Sequence, residues 1–196
     1  MNLIFKNNIE NSQLLEELYL KSFPKEERFP FWVLKECSKE NNSDLLEIYD
    51  NDEFVGFCYV VKCNNLYYLM YFAVEPNLRN RGYGSIILKE LANKYKNIFL
   101  SIEKPSDELT KRRKNFYLEN GFIETNKVYE DTGVFYEILC NNKEIEITEE
   151  IMMKRYTNMS INPDILKIIS DTFNTSIVEF INDNVWKLFI VKFVCN

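Results

Sequence analysis

A short loop of arginines and glycines carries the most distinctive chemistry in this sequence. It runs from Asn77 to Gly84, holds two of the chain's five glycines, and leads directly into an amphipathic helical pattern. Glycines allow the backbone to turn tightly and approach a ligand closely. The first N–H groups of a helix have no intrahelical partner, and the helix dipole adds positive potential there. Together with Arg79 and Arg81, these features predict a phosphate-binding loop.

The spacing excludes two familiar kinds of phosphate loop. A Walker loop requires Gly-Lys-Ser/Thr, whereas Ser85 and Ile86 follow Gly84. The dinucleotide fingerprint requires a third glycine three residues after Gly84, and Ile87 occupies that position. The remaining pattern is Arg-x-x-Gly-x-Gly. Its alternative explanation, a glycine-containing turn with solvated arginines, stays open on the motif alone.

Composition excludes further classes of chemistry. The chain has 196 residues and no His, so Ser–His or Cys–His catalysis and His-ligated metal sites are impossible within it. No metal is therefore expected. Proton transfer would use a carboxylate, Tyr, Lys, Cys or water. A net charge of −6 argues against a nucleic-acid partner.

Cysteine content and hydropathy indicate the cellular compartment that we expect for this chain. Five Cys without a CxxC motif are typical of reduced thiols, so we expect a cytoplasmic protein. No apolar run reaches the 18 or so residues that a membrane span needs, so no membrane partner is expected. The start of the chain lacks the long apolar stretch of a secretory signal.

The elements around the loop predict a mixed α/β protein. A short strand at residues 2–6 precedes helices around Leu15–Ser22 and Phe31–Leu34. Three strands joined by tight turns follow and form an antiparallel meander ending with Leu66–Val74. Because a helix separates that strand from the next one at 97–103, these two strands are expected to be parallel.

The remaining chain predicts a second helix, a hairpin and a tail. A helix spans 107–120 with Gly121 as its left-handed cap, and a hairpin spans 122–140. Beyond residue 141 the pattern predicts helices at 146–156 and from Pro163, then a strand at 185–195. We expect a core of residues 1–140 and an extension of residues 141–196 packed on it.

Two further signatures stand in register with the loop. Ala73-Val74-Glu75-Pro76 closes the central strand, and Phe116-Tyr117-Leu118-Glu119-Asn120-Gly121-Phe122 closes the second helix. With the loop, they resemble the GNAT superfamily of N-acetyltransferases over residues 45–140. The resemblance implies a mixed, mostly antiparallel sheet flanked by helices, with a V-shaped splay between its central strands.

By the same resemblance, acetyl-CoA would fill the splay as co-substrate. Its pantetheine arm would pair with the backbone of Phe72, Ala73 and Val74, whose side chains are expected in the core. The pyrophosphate would bind the loop at Arg79, Arg81, Gly82, Tyr83, Gly84 and Ser85. In the basic run 111–114, Arg112 or Arg113, with Arg113 preferred, could meet the 3′-phosphate; a solvated helix face is the alternative.

The resemblance also implies catalytic residues. Tyr117 matches the tyrosine that donates to the departing sulfur, and its alternative is an aromatic packed on the sheet. Glu103, at the end of the strand after the loop helix, is the candidate base, with a solvated carboxylate as the alternative. Glu26 and Glu27 lie in a loop that borders the acceptor site in this fold, although solvated charges would look the same.

The leading hypothesis is an enzyme that transfers the acetyl group of acetyl-CoA to a primary amine of a small molecule or peptide by direct attack in a ternary complex. The alternative is a catalytically silent acyl-CoA sensor or interaction module on the same fold. The protein is expected to be a monomer or a homodimer. The identity of the amine does not follow from the sequence.

Overall fold

The computed structural model describes residues 1–7, 12–39, 42–131, 133–157 and 192–193. Within them the chain forms strands with helices between several of them. The strands are β1 (Leu3–Lys6), β2 (Ser43–Asp50), β3 (Glu53–Cys63), β4 (Leu66–Val74), β5 (Ile98–Glu103), β6 (Ile123–Asp131), β7 (Val134–Cys140) and β8 (Lys192–Phe193). The helices are α1 (Gln13–Ser22), α2 (Phe31–Cys37), α3 (Tyr83–Tyr95), α4 (Glu108–Glu119) and α5 (Glu149–Thr157).

These strands form one sheet with the order β1-β2-β3-β4-β5-β7-β6-β8 among the described residues. Every neighbouring pair is antiparallel except β4 and β5, which are parallel as the crossover through α3 requires. The predicted fold class is confirmed: the sheet is mixed, mostly antiparallel and flanked by helices.

Helices cover both faces of the sheet. Side chains of α1, α2 and α5 pack on one face, which we call the α1–α2 face; α3 and α4 pack on the other, the α3–α4 face. Both faces are rich in aromatic and branched side chains, so each helix buries its apolar stripe against a strand surface. The central strands β3 and β4 are therefore buried from both sides.

A β-bulge interrupts β4 at Met70. Tyr59 of β3 pairs with Tyr71, whereas the next residue, Val60, pairs with Leu69. Because Met70 is the extra residue, the alternation of side chains changes phase there. Tyr68 and Tyr71 consequently both lie on the α1–α2 face, while Leu69 lies on the α3–α4 face.

The caps of α4 form as their residue types predict. Asp107 caps α4 through a 2.7 Å bond from the Thr110 N–H, and the Thr110 hydroxyl accepts from the Asp107 N–H in return. Gly121 has φ of 85° after the end of α4. The β6–β7 connection is tighter than expected, because both strands extend to within two residues of each other.

Most of the predicted tail lies outside the described residues. The helix expected from Pro163 falls there, as does the strand at 185–195 except for Lys192–Phe193, which pairs with β6. In the preceding part, Ile147 and Met152 are buried in the core on the α1–α2 face. The division into residues 1–140 and 141–196 stays a prediction. None of the described helices is long and apolar enough to cross a membrane.

Candidate functional site

The loop after β4 is built around two backbone positions in the left-handed region. A 3₁₀ turn at Pro76–Leu78 redirects the chain, and the Arg79 Nε donates to the Val74 carbonyl at 3.0 Å, closing the loop on the strand. Asn80 has φ of 61° and Gly82 has φ of 86°. The loop therefore needs a residue at 82 that tolerates positive φ, which glycine does best.

The first turn of α3 faces out of this loop with its N–H groups uncapped. Gly82 is the N-cap residue and offers no side-chain oxygen. The Ile86 N–H donates to the Gly82 carbonyl at 3.2 Å, so the backbone N–H groups of Tyr83, Gly84 and Ser85 precede the first intrahelical bond. Three such donors at the positive end of a 13-residue helix form a site for an anion.

The two glycines of the loop serve different purposes. A Cβ on Gly82 would meet no atom within 4 Å, so this position is open and its requirement is conformational. A Cβ on Gly84 would lie 2.9 Å from Cζ of Phe116, so this glycine allows α3 and α4 to approach each other. The sequence pattern predicts close approach of a ligand for both glycines, and does not distinguish these roles.

Tyr83 anchors the loop helix to the sheet. Its hydroxyl donates to Oδ2 of Asp50 at 3.0 Å, across 33 residues of sequence. The same carboxylate accepts from the backbone N–H of Asn2, so it ties α3 to both β1 and the β2–β3 hairpin. The hydrogen bond to Asp50 raises the pKa of Tyr83, because it favours the neutral hydroxyl. Its backbone, not its side chain, is available to a ligand.

The four basic residues 111–114 in the middle of α4 have different surroundings. Arg112 donates to Oδ1 of Asn80 at 2.8 Å and thus stands beside the loop. Lys114 forms ion pairs with Glu124 at 2.9 Å and Glu137 at 2.7 Å, which fasten α4 to β6 and β7. Arg113, the residue that the sequence favoured, is exposed, and its charge lowers the pKa of Tyr117. Of this run, Arg112 is the residue that the structure connects to the loop.

The strands β4 and β5 separate soon after they meet. They pair at Tyr67–Ile98 and Tyr68–Phe99, while both strands continue for several residues beyond. Past this point β5 pairs with β7 and β4 pairs with β3, so the edges that face each other diverge. We call this gap the splay. It is the V-shaped opening that the sequence resemblance implies.

The backbone of β4 presents alternate residues to the splay. Glu75 donates its N–H to Val55 of β3 at 2.8 Å, and the Ala73 carbonyl also faces β3, close to Gly56. Since backbone groups alternate along a strand, those of Phe72 and Val74 point toward the splay. The Val74 carbonyl there already accepts from Arg79. Phe72 and the Val74 N–H are therefore the groups presented to the splay, whereas Ala73 belongs to the β3–β4 ladder.

Tyr117 lies in α4 on the α3–α4 face, packed against Phe116 and Phe122 with ring centroids 5.3 and 5.7 Å away. Burial raises its pKa to about 12; Arg113 opposes this shift, while Tyr68 at the apex of the splay adds to it. The hydroxyl is consequently neutral at pH 7 and can donate a hydrogen bond.

The candidate base and the 3₁₀ turn that carries Glu26 and Glu27 lie on the other side of the sheet. Glu103 is half-buried at the end of β5, paired with Tyr136 of β7. Its alternation with Phe99 places it on the α1–α2 face, opposite Tyr117. Glu26 and Glu27 belong to the 3₁₀ turn Lys25–Glu27 between α1 and α2, on that same side; Glu27 is exposed. Tyr117 and Glu103 are thus separated by the sheet, and the splay is the gap between them.

Sequence reasoning missed a buried arginine below the splay. Arg155 of α5 is 0% exposed, and its Nη1 donates to the Tyr129 hydroxyl at 2.6 Å and to Tyr68 at 3.4 Å. Its guanidinium lies 4.6 and 5.3 Å from the centroids of these two rings, a cation–π arrangement. The available signal was its spacing from Ile151 and Met152, which places a cation on the apolar side of α5.

A separate cavity of about 480 Å³ lies along the outer side of α3, lined in part by Ser85, Lys89 and Gly121. It shares Ser85 with the loop but lies outside the splay. Among the described residues, no group of three or more Asp, Glu or Cys is placed to hold a metal ion.

Comparisons with known proteins agree with this geometry. A family model described as an acetyltransferase (GNAT) domain matches residues 41–124. A candidate acetyltransferase of the GNAT family from Bacteroides thetaiotaomicron is 27% identical, with a TM-score of 0.64, over 90% of this chain and 100% of that chain. The search of curated proteins found no significant match.

Two further solved structures share the fold at lower identity. An aminoglycoside 6′-N-acetyltransferase complexed with coenzyme A is 14% identical, with a TM-score of 0.61, over 76% of this chain and 100% of that chain. The PaiA N-acetyltransferase from Thermoplasma acidophilum, also in complex with coenzyme A, is 17% identical, with a TM-score of 0.52, over 70% and 98%. The family resemblance and the fold expected from the sequence are confirmed.

Proposed function

We propose that this chain, whose residues 41–124 match a family model described as an acetyltransferase (GNAT) domain, transfers the acetyl group of acetyl-CoA to a primary amine of a small molecule or peptide. The observation that carries the proposal is the splay: β4 and β5 pair at two positions and then part, beside an anion-binding loop. A thioester held in this gap is reachable from both faces of the sheet. Direct attack within a ternary complex then needs no covalent enzyme intermediate.

The loop and β4 hold the cofactor in this proposal. The diphosphate binds the backbone N–H groups from Gly82 to Ser85, and Arg81 and Arg112 add positive charge beside it. The pantetheine arm extends along β4 and pairs with the backbone of Phe72 and Val74, as an added strand would. Binding of coenzyme A by the two N-acetyltransferases of the same fold supports this assignment.

The acceptor approaches from the α1–α2 face. Its uncharged nitrogen attacks the carbonyl carbon of the thioester, the C–S bond breaks, and the thiolate leaves with the bonding electrons. Glu103 accepts the proton that the amine loses, directly or through water. Holding both reactants in the splay contributes several kcal/mol, up to about 7–11 kcal/mol in ideal cases.

Tyr117 serves the leaving group from the α3–α4 face. A free thiol has a pKa of about 8.5, so the thiolate needs modest stabilisation. The neutral Tyr117 hydroxyl donates a hydrogen bond to the sulfur as charge develops there. Glu27, with Glu26 beside it, borders the acceptor and favours a cationic amine. The cytoplasm, where acetyl-CoA and reduced thiols coexist, is the proposed compartment.

The test combines binding with turnover. The full chain is incubated with acetyl-CoA and, separately, spermidine, kanamycin or a lysine-containing peptide, while free thiol is monitored; calorimetry measures binding of coenzyme A. Thiol release that depends on an amine supports the proposal. Binding of coenzyme A without thiol release on any amine favours the silent acyl-CoA module. If the chain neither binds coenzyme A nor releases thiol, both hypotheses are rejected.

A pair of variants tests the role of the base. Glu103→Gln is expected to lower kcat by roughly 100-fold or more, because general-base catalysis contributes about that much. Glu108→Gln is the matched control, since Glu108 is exposed at the start of α4 and pairs with Lys111. Equal activity of the two variants would remove Glu103 from the mechanism.

A further inference from the structure

Tyr71 connects the central strand to the segment between α1 and α2. Its hydroxyl donates to the Glu27 carbonyl at 2.8 Å and accepts from the Phe29 N–H at 3.4 Å. These partners lie 44 and 42 residues away in the sequence. A single side chain on β4 therefore holds two backbone groups of residues 24–30, which we call the acceptor loop.

Tyr19 holds the same loop from α1. Its hydroxyl donates to the Phe29 carbonyl at 2.9 Å, and its ring meets that of Tyr71 edge-on with centroids 5.0 Å apart. Burial raises the pKa of Tyr19 to about 12, while hydrogen bonding to Tyr71 opposes the shift. The two hydroxyls thus form one network around the backbone of Phe29.

The bulge in β4 determines that Tyr71 faces this loop. In an uninterrupted strand, a residue three positions after Tyr68 would lie on the opposite face of the sheet. Because Met70 is an extra residue in β4, Tyr71 lies instead on the α1–α2 face, the same face as Tyr68. Bulges commonly redirect side chains beside active sites. Here the next residue, Phe72, presents its backbone to the splay. The loop therefore contacts Tyr71, and the proposed pantetheine arm would contact the adjacent residue, Phe72.

Several other contacts of the acceptor loop are local or apolar. Within it, Glu27 donates to the Pro24 carbonyl at 3.1 Å and Arg28 to the Lys25 carbonyl at 3.4 Å, and both bonds are local. The Arg28 side chain reaches the Leu20 carbonyl at the end of α1 at 3.0 Å. These contacts shape the turn, whereas the tyrosine hydroxyls, together with the Phe29 side chain packed against the core, hold it against the sheet.

We propose that Tyr71 and Tyr19 are positioning residues that latch the acceptor loop onto β4 and so place the amine relative to the thioester. The consequence for catalysis rests on the proposed function; the latch itself does not. One strand then aligns both substrates, because Tyr71 holds the boundary of the acceptor site and Phe72 and Val74 hold the pantetheine arm.

Three tyrosine-to-phenylalanine variants of the full chain test the latch. Tyr71→Phe and Tyr19→Phe each remove one hydroxyl from the network. Tyr59→Phe is the matched control: Tyr59 pairs with Tyr71 across β3 and β4, is fully buried, and donates to Ser43 at 3.0 Å, away from the loop. Hydrogen–deuterium exchange of the peptide covering residues 24–30 is the first measurement. Tyr19→Phe loses one hydrogen bond to the loop and Tyr71→Phe loses two. Exchange is expected to speed up about 3- to 10-fold in Tyr19→Phe and at least as much in Tyr71→Phe.

The second measurement separates the two substrates. With an amine that the wild type acetylates, KM for the amine is expected to rise about fivefold in Tyr71→Phe and Tyr19→Phe, while KM for acetyl-CoA stays within twofold. Unchanged exchange at 24–30, or equal acceleration in Tyr59→Phe, overturns the latch. Faster exchange with an unchanged KM for the amine overturns its role in acceptor placement. If no amine is acetylated, the proposed function fails, and the exchange data still decide the latch.

Discussion

Replacing Tyr117 by Phe removes one hydroxyl and leaves the packing against Phe116 and Phe122 in place. With a pKa of about 12, this hydroxyl is a weak acid. Full transfer of its proton to a thiolate of pKa about 8.5 is uphill by about 5 kcal/mol. In the proposed reaction its contribution is therefore a hydrogen bond to the developing negative charge. Such bonds stabilise by about 1.5–3 kcal/mol, so kcat is expected to fall about 10- to 150-fold.

The same pKa predicts the shape of the pH profile. Because burial raises the pKa of Tyr117, the hydroxyl stays protonated from neutral pH up to about pH 10, and the loss of its proton begins above that. The wild-type kcat should show no descending alkaline limb from this group between pH 7 and 9.5. Tyr117→Phe should have a lower kcat with the same profile.

Thiol release under saturating acetyl-CoA and amine measures kcat, and calorimetry measures affinity for coenzyme A. Tyr59→Phe controls for the loss of a buried hydroxyl far from the leaving group. A Tyr117→Phe variant with kcat within twofold of the wild type would refute the proposed role. A wild-type alkaline limb with a midpoint below pH 9, abolished in the variant, would refute the raised pKa.

Three substitutions test the supporting structure. Gly82→Ala forces a non-glycine residue into φ of 86° and should lower the free energy of unfolding by about 1–2 kcal/mol while weakening coenzyme A binding; unchanged binding would argue against an anion at this turn. Gly84→Ala places a methyl group 2.9 Å from Phe116, and the overlap should lower the free energy of unfolding by up to about 2 kcal/mol because the better helix propensity of Ala offsets part of the cost. The double variant Gly84→Ala/Phe116→Leu should recover stability, and no recovery would contradict the packing explanation. Arg155→Ala removes a buried cation from Tyr129 and should destabilise by about 2–4 kcal/mol in urea unfolding, whereas a loss under 1 kcal/mol would show that α5 is not anchored there.

The features that the sequence predicted well are those specified by neighbouring residues. Pro76, Gly82 and Gly121 act within a turn of their own positions, so the ends of β4 and α4 and the start of α3 followed from local rules. The parallel pairing of β4 with β5 followed from the helix between them. The loop could be recognised because a strand, a turn and a helix are contiguous in the chain.

The features that escaped prediction depend on contacts between distant residues. Choosing Arg112 over Arg113 requires the angular position of α4 relative to the loop, which its packing on β5 and β6 determines. The burial of Arg155 requires knowing that α5 lies beneath Tyr68, 87 residues earlier. The spacing of Arg155 from Ile151 and Met152 places it on the apolar side of α5, but it does not identify the two tyrosines that the guanidinium contacts. The position of Arg112 beside Asn80 leaves no periodic signal.

The bulge at Met70 shows how a one-residue irregularity decides which groups meet. With regular alternation, Tyr71 would face α3 and α4, and the acceptor loop would lose both of its hydrogen bonds to that hydroxyl. With the bulge, Tyr71 faces the loop while Phe72 and Val74 still present their backbone to the splay. A strand can bind a ligand through its backbone edge and hold a loop through a side chain on its face only if the face on which each side chain lies is set independently of which backbone groups are paired. Met70 sets them independently in β4, so that in the proposed reaction one strand would align both substrates.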